Sequence, residues 1–225
     1  MLFGDRIMFP KNTTIGKKIP KKRFYDNIDL KPTIKKKFTN QIESLVFANK
    51  FSKATLNIPK TKDVEEVFVF DITLKDNNYL DKIEDVLSII DKSVPYPILY
   101  QFKIGRNLVY KIAYKKRNLN DPNKSIIDVY LTRKILASNI KTFSDEFDKI
   151  FSALNMKVLY GKLIELFITK KKETVEESVE EEKNLIYTQK EIDKLQKIMI
   201  KEKQADRQYE LYDKIKNLKK DINDD

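Results

Sequence analysis

The hydrophobic and polar positions divide the chain into three zones of different periodicity. In residues 1–30 neither the two-residue period of a strand nor the 3.6-residue period of a helix persists. Gly4, Pro10, Gly16 and Pro20 interrupt this segment, and such residues are typical of turns and loops. We therefore predict a loop-like N-terminal segment.

A helix is predicted from Pro32, because proline is compatible with the first turn of a helix. The apolar residues that follow have helical spacing, and they are Ile34, Phe38, Ile42, Leu45 and Val46. A short strand is predicted next at residues 54–58, immediately before Pro59. The basic residues between the apolar positions should face solvent or a phosphate backbone.

Strand patterns dominate the middle zone. Residues 66–74 form a nearly continuous apolar run, which is typical of a strand covered on both faces. Residues 98–104 and 108–116 alternate around a short turn and predict a β-hairpin. After a turn-rich loop at 118–124, another strand is predicted at 126–132.

Helical spacing predicts further helices at residues 79–91, 142–153 and 155–170. Strands and helices together predict an α+β core domain over residues 31–173, in which a mixed or mainly antiparallel sheet packs against helices.

The C-terminal zone is charged. Residues 174–182 are interpreted as an acidic hinge, and residues 183–222 contain neither Gly nor Pro and predict one long, coiled-coil-like helical arm. Its narrow apolar stripe comprises Ile192, Leu195, Met199, Leu211, Ile215 and Leu218. So narrow a stripe cannot stabilise a long helix alone, so the parent domain, a second copy or a partner protein should cover it. The hinge favours an intermolecular contact.

The composition excludes several classes of chemistry. The chain has 225 residues, of which 41% are hydrophobic, and it has no Cys and no His. A catalytic triad with His, a thiolate or imidazole metal site and a disulfide framework are therefore excluded. No apolar run is long enough for a membrane helix and no signal peptide is evident, so we expect a cytoplasmic protein without a membrane partner. No cofactor is expected.

The net charge of +11 is concentrated at the start of the chain. Residues 1–62 contain 15 Lys and Arg against 4 Asp and Glu, whereas residues 174–225 contain 11 against 14. A confined basic surface indicates a polyanionic partner, nucleic acid first and DNA in particular, although a lysine-rich composition alone could also produce it. The candidate phosphate-binding residues are Lys17, Lys18, Lys21, Lys22, Arg23, Lys35, Lys36 and Lys37.

Aromatic side chains could stack on bases beside these cations. The candidates are Phe24, Tyr25, Tyr96, Tyr100, Tyr110 and Tyr114. Regular alternation in the predicted hairpin favours core packing for the last three.

One pattern allows an alternative, enzymatic function. Asp71 interrupts an apolar strand, and Gln101 and Lys103 have the spacing with which nucleases of the restriction-endonuclease fold hold magnesium and orient water. Glu43 could be a further ligand. However, such nucleases usually place these strands as adjacent meanders, whereas about 30 residues and a predicted helix separate Asp71 from Gln101 here. Asp71 could equally cap a backbone group or pair with a lysine. We therefore expect no metal-dependent cleavage of nucleic acid.

Several separated motifs resemble a bacterial family, domain-of-unknown-function family 4391. They include residues 19–27 (IPKKRFYDN), 41–44 (QIES), 54–58 (ATLNI), 96–99 (YPIL) and 201–211 (KEKQADRQYEL). The resemblance carries no activity and no catalytic residues. It implies a setting beside helicases and DNA methyltransferases in restriction-like or anti-phage loci.

The expected function is a non-enzymatic accessory subunit of such a system. The basic N-terminal surface would contact nucleic acid, and the arm would contact a helicase or methyltransferase subunit or a second copy of the chain.

Overall fold

A computed structural model describes residue 7 and residues 9–24, 32–117 and 125–224. The predicted loop at 118–124 lies outside these residues, as does Tyr25, one of the aromatic candidates. None of the described helices has the length and apolarity that a membrane-spanning helix requires.

Six strands form one mixed sheet in the order β1 to β6. Their bounds are β1 Thr14–Lys18, β2 Ile42–Phe51, β3 Val67–Leu74, β4 Ile98–Ile104, β5 Asn107–Arg117 and β6 Ser125–Ile135. Neighbouring strands are antiparallel except β3 and β4, which are parallel. This arrangement confirms the predicted α+β class.

Seven α-helices accompany the strands in the described part of the chain. Their bounds are α1 Pro32–Gln41, α2 Lys53–Leu56, α3 Glu84–Ser93, α4 Ile140–Asp148, α5 Met156–Glu165, α6 Val175–Lys201 and α7 Ala205–Asp224. A 3₁₀ turn at Lys21–Phe24 precedes α1, and another at Asn77–Lys82 leads into α3.

Residues 1–167 form one compact unit and residues 168–225 form a second. In the first unit, helices cover both faces of the sheet. Phe38 of α1 and Leu87 of α3 share one apolar cluster with Phe70 and Tyr100 on one face. On the other face the ring of Phe143, in α4, lies 5.6 Å from the ring of Tyr110.

Three local predictions near the start of the first unit are wrong. Residues 14–18 lie in the segment predicted to be loop-like but form strand β1, which pairs with β2. The helix predicted from Pro32 ends at Gln41, and Ile42 begins strand β2, which pairs with β3 along its length. The strand predicted at 54–58 is instead the short helix α2, whose start is capped by Ser52 and Thr55. Asn57 then ends this helix in the left-handed conformation, with φ of 56°.

The second unit is a helical hairpin, whereas the sequence pattern predicts one continuous arm. The predicted acidic hinge is helical, because α6 begins at Val175 with Thr174 and Glu177 as a capping box. The chain turns at residues 202–204, where the Glu202 carboxylate accepts the backbone N–H groups of Lys203 and Gln204 at 2.8 and 3.1 Å. These hydrogen bonds lower the pKa of Glu202.

Candidate functional site

One transverse row of side chains crosses all six strands on the sheet face that carries α4. Strand partners point to the same face of a sheet, so the register defines the row. From β1 to β6 it consists of Lys18, Val46, Asp71, Gln101, Tyr110 and Arg133. The row is polar on the four strands from β3 to β6, and the apolar Val46 separates it from Lys18 on the edge strand β1.

The three candidate catalytic residues lie on neighbouring strands within this region. Asp71 is the register partner of Gln101 across the parallel pair β3 and β4. Lys103 is two residues beyond Gln101, so it projects from the same face, and it is exposed. The intervening helix α3 covers the other face, so β3 and β4 are parallel neighbours joined by a crossover and do not form a meander.

Gln101 is held by a hydrogen bond within the sheet. It is 4% exposed, and its Oε1 accepts the hydroxyl of the buried Tyr110 at 2.8 Å. Tyr110 packs against Phe143, over whose ring the guanidinium of Arg133 lies at 4.6 Å. Arg133 also donates to Glu146 at 3.0 Å. The β5 and β6 end of the row is therefore fixed by packing and hydrogen bonds.

The donor set for a metal at this row is small. Within the described ranges, no group of three or more carboxylate side chains is arranged to hold a metal ion. Glu43 is not on a helix but at the irregular start of β2, where the register with β3 shifts between Ile42 and Ser44. The side-chain oxygens at the row are those of Asp71, the Gln101 amide and the Tyr110 hydroxyl, which donates to that amide. Magnesium commonly takes only one or two protein ligands beside water and phosphate.

The predicted basic residues lie on three consecutive segments of the first unit. Six of the eight are exposed: Lys17 and Lys18 on β1, Lys22 and Arg23 on the 3₁₀ turn, and Lys35 and Lys36 on α1. We call these six residues the basic surface. The 3₁₀ turn is anchored beside α1, since the buried ring of Phe24 stacks on Phe38 at 6.3 Å.

The other two predicted cations have structural contacts. Lys21 is half-buried and its ammonium donates to the carbonyl oxygen of Ile42 at 2.7 Å, which fixes the 3₁₀ turn to the start of β2. Lys37 forms an ion pair with Asp85 and so links α1 to α3. Both contribute positive charge, but replacing either one would also remove a contact between elements of the first unit.

A further cation that the sequence patterns missed joins this region. Burial lowers the pKa of Lys21, and the positive charges of Lys75 and Lys18 lower it further, while Glu43 opposes them. Lys75 follows β3, and its backbone N–H donates to the carbonyl of Gln41 at 2.9 Å. Cations from β1, the 3₁₀ turn and the end of β3 therefore converge in space.

The aromatic candidates for base stacking are mostly core residues. Phe24, Tyr100, Tyr110 and Tyr114 are buried, and Tyr96 is half-buried with its ring 5.1 Å from Phe68. Core packing therefore accounts for the alternation in the predicted hairpin. Among the five described candidates, none is a fully exposed ring that could form a stacking platform.

A buried charged cluster lies outside every predicted site. The Lys115 ammonium is 3.0 Å from Oδ1 of Asp91, and the Tyr130 hydroxyl donates to Oδ2 at 2.6 Å. Burial raises the pKa of Asp91 and lowers that of Lys115, although each charge opposes the shift of the other. The sequence signal was the position of Asp91 on the apolar side of α3, four residues after Leu87.

The six apolar residues predicted to bind a partner contact one another within the hairpin. Ile192, Leu195 and Ile215 are buried at the seam between α6 and α7. The half-buried side chains packed against them are Met199, Leu211, Leu218 and Ile222. The cover that the narrow stripe requires is therefore supplied by the chain itself, because the helix turns back after Lys201.

Comparison with known proteins identifies the family. The family model Domain of unknown function (DUF4391) matches residues 7–222. The chain belongs to this family. No curated protein and no solved structure is significantly similar to it. Membership in DUF4391 therefore assigns no activity to this chain.

Proposed function

We propose that this DUF4391 protein binds the phosphate backbone of nucleic acid, DNA first, through the basic surface. The observation that carries the proposal is the exposure of six cations on three consecutive segments. The convergence of Lys18, Lys21 and Lys75 adds to the positive potential there. Phosphate contacts of this kind do not distinguish base sequences, so binding is general.

The biological role that we propose is that of a non-enzymatic accessory subunit in a cytoplasmic DNA-defence system. Support comes from the motifs that resemble the family and from the setting beside helicases and methyltransferases that this resemblance implies. Affinity capture of the tagged full chain from its native host, followed by mass spectrometry, tests this role. A helicase or methyltransferase among the captured proteins supports it, and recovery of neither argues against it.

A salt titration tests the phosphate contacts. Duplex binding by the full chain is measured by fluorescence anisotropy across a range of salt concentrations. Each phosphate contact contributes about −0.9 to the log–log slope of affinity against salt. The variant Lys17→Glu, Lys22→Glu, Arg23→Glu should weaken binding to all duplexes alike and make the slope shallower by about 3. It spares Lys21 and Lys37, whose contacts support the fold.

The matched control reverses three exposed lysines elsewhere in the first unit. Lys92→Glu, Lys141→Glu, Lys149→Glu makes the same change in net charge. This control should retain most of the affinity and a slope near that of the parent. Equal losses of duplex affinity in the two triple variants would show that net charge alone drives binding. Unchanged affinity in the variant of Lys17, Lys22 and Arg23 would remove the basic surface from the proposal.

A second candidate function is magnesium-dependent cleavage of phosphodiesters. It is favoured by the register pairing of Asp71 with Gln101 and by Lys103 on the same face. Asp71 and the Gln101 amide would hold the ion, whose bound water supplies the nucleophile. Lys103 would stabilise negative charge developing on the phosphate. The basic edge at Lys18 lies in the same row and would position the strand.

Cleavage assays separate this candidate from simple binding. The full chain is incubated with linear, supercoiled and single-stranded DNA and with RNA, in magnesium or in manganese. Cleavage that both Asp71→Asn and Lys103→Met abolish would support the candidate. Lys134→Met is the control, because Lys134 is exposed and its strand partner Val109 belongs to the opposite face. Cleavage that persists in both variants, or none by the parent, rejects it.

A further inference from the structure

Helix α6 is divided by charge along its length. Its first part and the residue just before the N-cap are acidic, with Glu173, Glu176, Glu177, Glu180, Glu181 and Glu182. Its last part contains a regular series of basic residues, Lys190, Lys194, Lys197 and Lys201. Four of these glutamates line one surface depression together with Lys171 and Lys172, and the four lysines line another together with Asp193.

Both charged halves share the outer side of the helix. With 3.6 residues per turn, Glu176, Glu180, Tyr187, Lys194 and Lys201 fall within about 60° of one another around the helix axis. All five are exposed, and Tyr187, with 52% exposure, lies between the two halves. The seam residues of α6 occupy a different side, so this outer side does not take part in the contact with α7.

This division makes the outer side complementary to itself. If two α6 helices lie antiparallel with their Tyr187 residues facing each other, the acidic half of each meets the basic half of the other. Glu180 then lies opposite Lys194, and Glu173 and Lys183 lie at the levels of Lys201 and Glu191. A parallel alignment would instead place like charges together.

We propose that the outer side of α6 is the interface of a two-fold symmetric homodimer, so that its occupant is a second copy of this chain. Two-fold contacts use the same patch on both subunits, which is what this charge arrangement provides. A polyanion fits less well, because half of the surface is acidic and residues 174–225 carry 14 acidic against 11 basic residues. Nucleic acid would be repelled from the first half.

The dimer is expected to be weak and sensitive to salt. Exposed ion pairs each contribute little. Four of the residues also have partners within their own helix, since Lys183 lies 3.2 Å from Glu180 and Lys194 lies 3.9 Å from Glu191. Salt shortens the Debye length from about 10 Å at 0.1 M to about 3 Å at 1 M. The dissociation constant should therefore rise by roughly tenfold or more over this range.

A charge-exchange experiment on the full chain tests the proposal. Variant one is Lys190→Glu, Lys194→Glu, Lys201→Glu, which makes the basic half of the outer side acidic. Variant two is Glu173→Lys, Glu176→Lys, Glu180→Lys, which makes the acidic half basic and leaves the capping residue Glu177 unchanged. Sedimentation velocity should show that each variant alone is monomeric, that their equimolar mixture forms a heterodimer, and that the parent dimer dissociates at high salt.

The controls distinguish a lost interface from a lost fold. Circular dichroism should show that the helix content of both variants is close to that of the parent. The reversal Lys214→Glu, Lys216→Glu, Lys219→Glu changes three exposed lysines of α7 and should leave the dimer intact. A parent that stays monomeric at low salt and high concentration would overturn the proposal. The proposal would also be overturned if the two folded variants failed to associate, or if the α7 control lost dimerisation to the same extent as they do.

Discussion

At the scale of single residues, Lys115 and Asp91 fix the end of α3 to the sheet. Besides its ion pair, the Lys115 ammonium donates to three backbone carbonyl oxygens at the end of the helix, those of Asp91, Val94 and Tyr96, at 2.9–3.1 Å. These carbonyls have no partner within a helix. Lys115 therefore supplies hydrogen bonds to the carbonyl groups at the end of α3. It also compensates the charge of the Asp91 carboxylate, since Asp91 is only 1% exposed.

We predict that Lys115→Met destabilises the protein by about 3–5 kcal/mol, because it leaves a buried carboxylate without its cation. The double variant Lys115→Met, Asp91→Leu should be more stable than this single variant, since the uncompensated charge is then removed. Urea denaturation followed by circular dichroism measures both values. An additive loss in the double variant would show that the two side chains act independently.

The same variant should have a characteristic pH dependence. Burial raises the pKa of Asp91 above its unfolded value, and Lys115 is the strongest influence that opposes this shift. Without the lysine, the folded state keeps a proton that the unfolded state releases. The stabilisation that this proton gives the folded state is fully present below the pKa of about 4 that Asp91 has in the unfolded chain. It is lost as the pH rises through the pKa of Asp91 in the folded state. Lys115→Met should therefore cost less stability at pH 4 than at pH 8, and the reverse order would contradict this account.

At the scale of elements, the junction of α1 and β2 shows why local patterns can mislead. Ile42 and Leu45 fit the helical stripe of α1, yet they are buried as strand residues opposite Leu74 and Ile72 of β3. Either periodicity buries the same side chains. Hydrogen bonding to β3 determines that these residues form a strand. Because β3 lies some thirty residues away, a local sequence pattern does not contain this information.

The hairpin seam gives a prediction at this scale. Ile215→Asp places a carboxylate against Ile192 and Leu195, at a cost of roughly 3 kcal/mol or more. A pair of helices held by so narrow a seam cannot offset that cost, so the helices of the hairpin should melt while the first unit still unfolds cooperatively.

The control is Ile200→Asp, because Ile200 is 78% exposed. Far-ultraviolet circular dichroism and limited proteolysis compare the two variants. The helix content should fall, and cleavage within residues 175–224 should accelerate, only in Ile215→Asp. If the two variants behave alike, the seam does not hold the hairpin together.

At the scale of the whole molecule, charge and fold are distributed between two units. The basic surface belongs to residues 1–167, and the divided charges of α6 belong to residues 168–225. The proposed binding of nucleic acid and the proposed self-association therefore use different units, and each can be removed without changing the residues of the other.

Truncation after Phe167 tests this separation. We predict that residues 1–167 remain soluble, melt cooperatively and retain the duplex affinity of the monomeric full chain, because the sheet and its two helical layers lie within them. The truncated chain should be monomeric at every salt concentration. Calorimetry, anisotropy and sedimentation velocity provide the measurements. An insoluble chain, or a broad non-cooperative transition, would show that the hairpin belongs to the core.

The sequence by itself determined the α+β class, the strands of the β4–β5 hairpin and the helical character of the C-terminal zone. Each rests on a period that is repeated several times within one segment, and the resemblance to the family likewise follows from local motifs. The concentration of charge in residues 1–62 was equally readable, because charge is a property of the residues and not of their arrangement.

Only the tertiary structure decided which distant residues meet. The parallel pairing of β3 with β4 brings Asp71 opposite Gln101 although a helix lies between them in sequence. Because the chain turns after Lys201, helix α7 packs against the narrow apolar stripe of α6. Lys115 of the sheet forms an ion pair with Asp91 of α3. In each case the deciding free energy comes from strand pairing, burial or charge compensation between segments, which a local pattern cannot contain.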